Sequence, residues 1–97
     1  MPLRIVHQSA ARRDLLNIRD YGIENWGEES ADHYLRQIGG RLLLLLDHPK
    51  IAPEYVGRSG AFRKLKAGEH LVFYQVEGDV VRVFRVVHSA ADVDSLL

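Results

Sequence analysis

Apolar residues recur along this chain with two different periods, and the change between them falls near residue 57. Over Ala11, Leu15, Ile18 and Tyr21 (or Gly22) they return every three or four residues. The same spacing runs through Ala31, Tyr34, Leu35, Ile38, Leu42, Leu45 and Leu46, and it is the period of one helix face. Ser9 stands where a hydroxyl would accept from the free amides of a first turn. Trp26-Gly27 reads as the corner between two helices, and Glu28, Glu29 and Asp32 suit the positive end of the second helix. Pro49 stops that helix, since proline brings no N–H and clashes with the turn before it. Leu3 to His7, ahead of the pair, reads as a short strand. The pattern predicts an antiparallel helical hairpin.

Past Gly57 the apolar segments shorten and become rich in β-branched and aromatic residues: Phe62 to Lys66, Leu71 to Val76, and Val80 to Val87. Ala67-Gly68 and Gly78-Asp79 separate them as turn dipeptides. Three consecutive antiparallel strands are expected, joined by the N-terminal strand, with at most a short helical turn in the tail from Ser89. The fold class is α+β, in one domain over residues 1–97: strand, helical hairpin, three-stranded meander.

The register implied by a two-residue turn at Gly78-Asp79 puts Gln75 opposite Arg82, Val72 opposite Arg85 and His70 opposite Val87. His70, Tyr74 and Arg85 then share one face with Arg63 or Lys64 beside them. Leu71, Phe73, Phe84 and Val86 make the other face, the expected seat of the hairpin, and His88 falls on that side. An open face with a histidine as base, and arginines to meet phosphorane charge, is a kit for cutting RNA. His70, Arg85 and Arg63 are the catalytic candidates on that reading. The set lacks a second acid–base group, which favours a structural or surface role for each histidine.

One stretch of the second helix is apolar beyond its inward stripe. Leu43 and Leu44 lie to one side, with Gly39 and Gly40 a turn earlier on that same side. A helix apolar on most of its circumference needs a second cover. Either the first helix or the 50–60 loop supplies it, or a partner protein does.

Lys and Arg number 13 and Asp and Glu 13, a net charge of zero, where a protein living on phosphate contacts shows a basic excess. Five of the cations, Lys50, Arg58, Arg63, Lys64 and Lys66, fall within residues 50–70 against Glu54 and Glu69. With no cysteine, and with His33 and His48 isolated, no metal or cofactor is expected. Leu42 to Leu46 is far short of the ~20 apolar residues of a membrane helix, and the first residues lack a signal peptide's apolar core. A soluble cytoplasmic protein without membrane contact is expected.

The chain resembles the ParE family of bacterial toxins, within the RelE/ParE superfamily. The matching residues are Ala11-x-x-Asp14-Leu15-x-x-Ile18-x-x-Tyr21, Trp26-Gly27, Ala31-x-x-Tyr34 and Leu46-x-His48-Pro49. Arg63-x-Leu65-x-x-Gly68-x-His70-x-x-Phe73-Tyr74-x-Val76, Val83-x-Arg85-Val86-Val87-His88 and Asp92 follow in the same order. The resemblance implies the toxin half of a type II toxin–antitoxin pair, of the kind that maintains plasmids or chromosomes. It implies a non-enzymatic poison of DNA gyrase, neutralised by a ParD-type antitoxin, that meets DNA only through gyrase or the antitoxin. Gly39, Leu43 and Leu44 are then the antitoxin-binding candidates. Arg63, Lys64, Lys66, His70, Tyr74, Arg85 and His88 are the target-binding ones. RNA-cutting relatives often carry arginine where His70 stands, and they carry a terminal aromatic that is missing here. Ala90-Ala91 stands where a bulkier residue is expected before Asp92, and the tail is short. Two alternatives stand beside this reading: a ribosome-dependent messenger-RNA endonuclease, and an attenuated homologue acting only with its antitoxin.

Overall fold

Two long helices meet at Gly27, whose φ of +90° few side chains tolerate, so the chain reverses there without a loop. The computed structural model describes residues 2–97. β1 (Arg4–His7) precedes the hairpin of α1 (Ser9–Trp26) and α2 (Glu28–Asp47). After it come β2 (Glu54–Gly57), β3 (Gly60–Ala67), β4 (His70–Glu77), β5 (Val80–His88) and the one-turn α3 (Val93–Leu96). Ser9 is the first residue of α1 rather than its cap, and no side chain caps that end. The sheet sets the helix start instead: the Gln8 N–H donates to the Val83 carbonyl, and the Gln8 carbonyl accepts from the Arg12 N–H.

The five strands form one sheet in the order β1-β5-β4-β3-β2. β1 runs parallel to β5 and every other pair is antiparallel. The meander therefore holds four strands, not three. β2 escapes a pattern reading because its four residues, EYVG, are too few to display a period. The turn from β3 to β4 is Gly68-Glu69, one residue later than expected, with Ala67 opposite His70. Gly78-Asp79 turns as predicted, and Gln75 faces Arg82.

Beyond Tyr74 and Val83 the register shifts by one, so Phe73 faces Arg85, Val72 faces Val86 and His70 faces His88. The extra residue is Phe84, a β-bulge. It overturns the expected pairs of Val72 with Arg85 and His70 with Val87.

The hairpin sits on the face opposite to the one expected. Ile38, Leu42, Leu45 and Ala11 pack on Leu65, Ala67, Val72, Tyr74, Val81, Val83 and Val86. The other face (Phe62, Phe73, Phe84, Leu71, Val87 and Tyr55) is covered by Ala91, Val93 and Leu97 of the tail. Because both faces are apolar, alternation alone could not say which one the helices take. Within the hairpin Gly22, not Tyr21, completes the inward stripe of α1. A Cβ at Gly22 would lie 3.0 Å from that of Ala31, so the helices touch where both residues are smallest.

Candidate functional site

Leu43 and Leu44 are not covered by the chain. They are 60% and 41% exposed, and Ile51, just past the end of α2, is 60% exposed. A Cβ added at Gly39 or Gly40 would meet nothing within 4 Å, so no neighbouring element exploits their smallness. Cover by the first helix or by the 50–60 loop is thereby excluded. Beside these leucines runs a groove of about 460 Å³ between the C-terminal half of α2 and β3. Leu44, Ile51, Pro53 and Leu71 supply apolar lining, and the charged lining is Arg41, Lys64 and Lys66. The basic segment of the sequence and the surplus leucines of α2 therefore border one groove.

The remaining sequence candidates do not assemble as expected. His70 and Tyr74 do share a face, but it is the one beneath the hairpin, and the bulge takes Arg85 out of that set by pairing it with Phe73. Tyr74 is fully buried, with its hydroxyl donating to the Pro49 carbonyl at 2.8 Å, so it has no surface to offer a target. Burial raises its pKa. Arg85 makes a two-pronged contact with Asp14 of α1, at 2.8 and 3.1 Å. That hydrogen-bonded partner holds the guanidinium's pKa above its ordinary value. Arg63 donates to the carbonyls of Ala52 at 2.8 Å and Lys50 at 3.3 Å, and lies 3.6 Å from a Glu54 oxygen. It holds the loop after α2. The three proposed catalytic groups are thus each engaged by a different element. Lys64 places its ammonium 5.7 Å from the centre of the Tyr55 ring, while Lys66 and His88 are exposed.

The bulge does bring His88 beside His70, contrary to the sequence expectation, with ring centroids 5.4 Å apart. Tyr34 of α2 lies on the other side of His70. Its hydroxyl is 2.5 Å from His70 Nδ1 and accepts the Glu69 N–H at 2.9 Å. Burial, and secondarily the charge of His88, hold the His70 pKa below its ordinary value of 6.5. A neutral His70 with its proton on Nε2 is the tautomer we assign, since Nδ1 can then accept from Tyr34. Gly68 makes room for this: a Cβ there would lie 2.8 Å from the Tyr34 ring. The trio forms one wall of a second cleft, about 700 Å³, between the N-terminal half of α2, α1 and the β3–β4 turn.

Sequence reasoning missed Ile51 and Arg41 in the groove, and the grouping of Tyr34, Glu69 and His88 around His70. Ile51 could have been found as an apolar residue between two prolines with no strand to join. The other four depend on the bulge or on which sheet face the hairpin takes.

The family model for the "ParE toxin of type II toxin-antitoxin system, parDE" matches residues 5–93. The chain belongs to this family. ParE toxins of known sequence bear the match out: Toxin ParE1 of Mycobacterium tuberculosis (strain H37Rv) is 34% identical over 95 residues, 97% of each chain. Toxin ParE1 of Caulobacter vibrioides is 31% identical over 80 residues, 82% of each. The fold is that of a chain in the solved structure "Chromosomal ParDE TA system from P. aeruginosa". The TM-score is 0.73 at 19% identity, over 89% of this ParE chain and 95% of that one. Among the described residues no helix is long and apolar enough to cross a membrane.

Proposed function

We propose that this ParE toxin acts by binding DNA gyrase and is neutralised by a ParD-type antitoxin laid along the groove beside Leu43 and Leu44. The observation that carries the antitoxin part is the groove itself. It joins exposed Leu44 and Ile51, with exposed Leu43 beside them on α2, to Arg41, Lys64 and Lys66, and so suits an amphipathic segment with apolar anchors and carboxylates. That the structural neighbour is a ParDE system supports such a partner. The gyrase part rests on family membership. Lys64 and Lys66 remain the target-binding candidates with His88, and an antitoxin in the groove would cover both lysines. Neutralisation then follows from occlusion.

The test pairs two measurements on the purified toxin. It should block supercoiling by gyrase, or accumulate cleaved DNA, in a reaction without RNA or ribosomes, and its antitoxin should relieve the effect. Replacing Leu43 and Leu44 together by Asp should weaken the antitoxin complex by about 2–4 kcal/mol, from the apolar area an interface would cover. The melting temperature should barely move, because both leucines are exposed. Unchanged antitoxin affinity sinks the groove. Codon-specific cuts in messenger RNA, with gyrase unaffected, sink the gyrase reading.

One observation favours the nuclease alternative: His70 and His88 stand side by side, as an acid–base pair would. Among the described residues, however, no lysine or arginine lines the cleft they share, so nothing there would meet the phosphate charge. We therefore do not adopt it.

A further inference from the structure

The cleft between the hairpin and the β3–β4 turn, at about 700 Å³, is larger than the groove beside Leu44, and the gyrase–antitoxin reading touches it only through His88. Its floor is low because Gly22 and Ala31 are small and touch. Its walls are aromatic. Tyr21 and Trp26 stand edge to face, with centroids 5.6 Å apart, and Tyr34 rises from α2. Aromatic faces carry partial negative charge and attract cations, most strongly when the site is poorly hydrated. Glu69 is the one carboxylate in the lining, with no lysine or arginine among the described residues there. His70, at the back, is biased toward its neutral form by burial. Walls and charge favour the same kind of guest.

The mouth decides how such a guest arrives. Tyr21 is 60% exposed and Trp26 63%. A free small molecule is usually enclosed over most of its surface, whereas an open aromatic cleft suits a side chain projecting from a larger surface. We infer that this cleft binds a cationic side chain, arginine or lysine, carried on an apolar segment of a partner polypeptide. The inference stands apart from the reading of the groove near Leu44, which lies further along α2 than Tyr34, and either can fail without the other.

Trp26 is the only tryptophan of the chain, so intrinsic fluorescence reports on the cleft directly. The probe is the tripeptide acetyl-Leu-Arg-Leu-amide, compared with the same peptide carrying citrulline, which keeps the shape and loses the charge. The arginine peptide should shift Trp26 emission and bind about 2- to 30-fold more tightly than its citrulline counterpart, the range of a cation on aromatic faces. Glu69→Gln and Tyr21→Leu, both at exposed positions, should each shrink that preference while leaving the melting temperature in place. Equal affinity for the two peptides, or a preference unchanged in both variants, overturns the cationic assignment. Methylguanidinium binding as tightly as the arginine peptide overturns the polypeptide. No response of Trp26, and none of the Tyr21 or Tyr34 ring resonances in NMR, overturns the site.

Discussion

Asp14 accepts three hydrogen bonds from one strand: two from the Arg85 guanidinium, and one from the Val86 N–H at 2.9 Å. β1 ends opposite Val83, so the far part of β5 has no strand on that side. The carboxylate supplies the acceptor that a longer β1 would have given. Two partly buried charges and a backbone donor depend on one another here, and removing any one strands the others. Arg85→Ala is therefore expected to destabilise the fold by about 1–3 kcal/mol, discounting for the quarter of the side chain that remains exposed. Arg85→Lys should recover only part of it, because an ammonium cannot make the two-pronged contact. Urea denaturation of the two variants and of Asp14→Asn would measure this. A wild-type midpoint in Arg85→Ala would show that the pair does not hold the sheet to the helix. Loss of toxicity in that variant would then report a surface contact rather than a weakened fold.

At the scale of elements, the helices were legible in the sequence because a 3.6-residue period persists through each. The stripe from Ala31 to Leu46 faces inward as its spacing dictates, and Leu43 and Leu44 lie outside it. The strands were legible as apolar segments between turn residues, but their orientation was not. Period-2 alternation separates a wet face from a dry one, and this sheet has two dry faces. The bulge at Phe84 was invisible for a related reason: no glycine or proline marks it, and its effect on His88 is visible only once β4 is alongside. The contact between α2 and the β3–β4 turn shows how closely the elements fit. Gly68 combines φ of +60° with a Tyr34 ring that would stand 2.8 Å from any Cβ. Gly68→Ala should cost more than the about 1–3 kcal/mol of the strained dihedral alone, because Tyr34 must move and loosen its contacts to His70 and to the Glu69 N–H. Thermal melting would give the cost, and the His70 resonances in NMR would show whether the pair parts. Wild-type stability and an unmoved imidazole in the Gly68→Ala variant would mean that the turn has slack.

On the scale of the whole molecule, the sheet is covered unequally on its two sides. Helices of 18 and 20 residues lie on one face; the other depends on a tail whose helix has four. A helix that short has no stability of its own. What holds it is the burial of Leu97, Val93 and Ala91 on the aromatic face, with the Ser59 N–H and hydroxyl both donating to the Leu97 carbonyl and Tyr55 donating to Asp94. Removal of residues 93–97 should leave the hairpin and its core in place while uncovering Phe62, Phe73 and Phe84. Far-ultraviolet circular dichroism should change little, binding of a hydrophobic dye should rise several-fold, and hydrogen exchange in β3 and β4 should quicken before that in α2. Global unfolding on truncation would show that the tail is part of a single cooperative core.

The place of β1 has a consequence for how the protein comes into being. Its four residues pair with Val80 to Val83, nearly the full length of the chain away, and Asp14 meets Arg85 across 71 positions. Contacts so distant in sequence close late, because the intervening chain must be ordered before they form. While the ribosome is still making the first eighty residues, the hairpin has its apolar stripe ready and β5 is absent. The sheet it will rest on therefore lacks the strand that lies between β1 and β4, and β1 has nothing to pair with. The sheet thus cannot close around β1 until Val80 to Val83 have been synthesised.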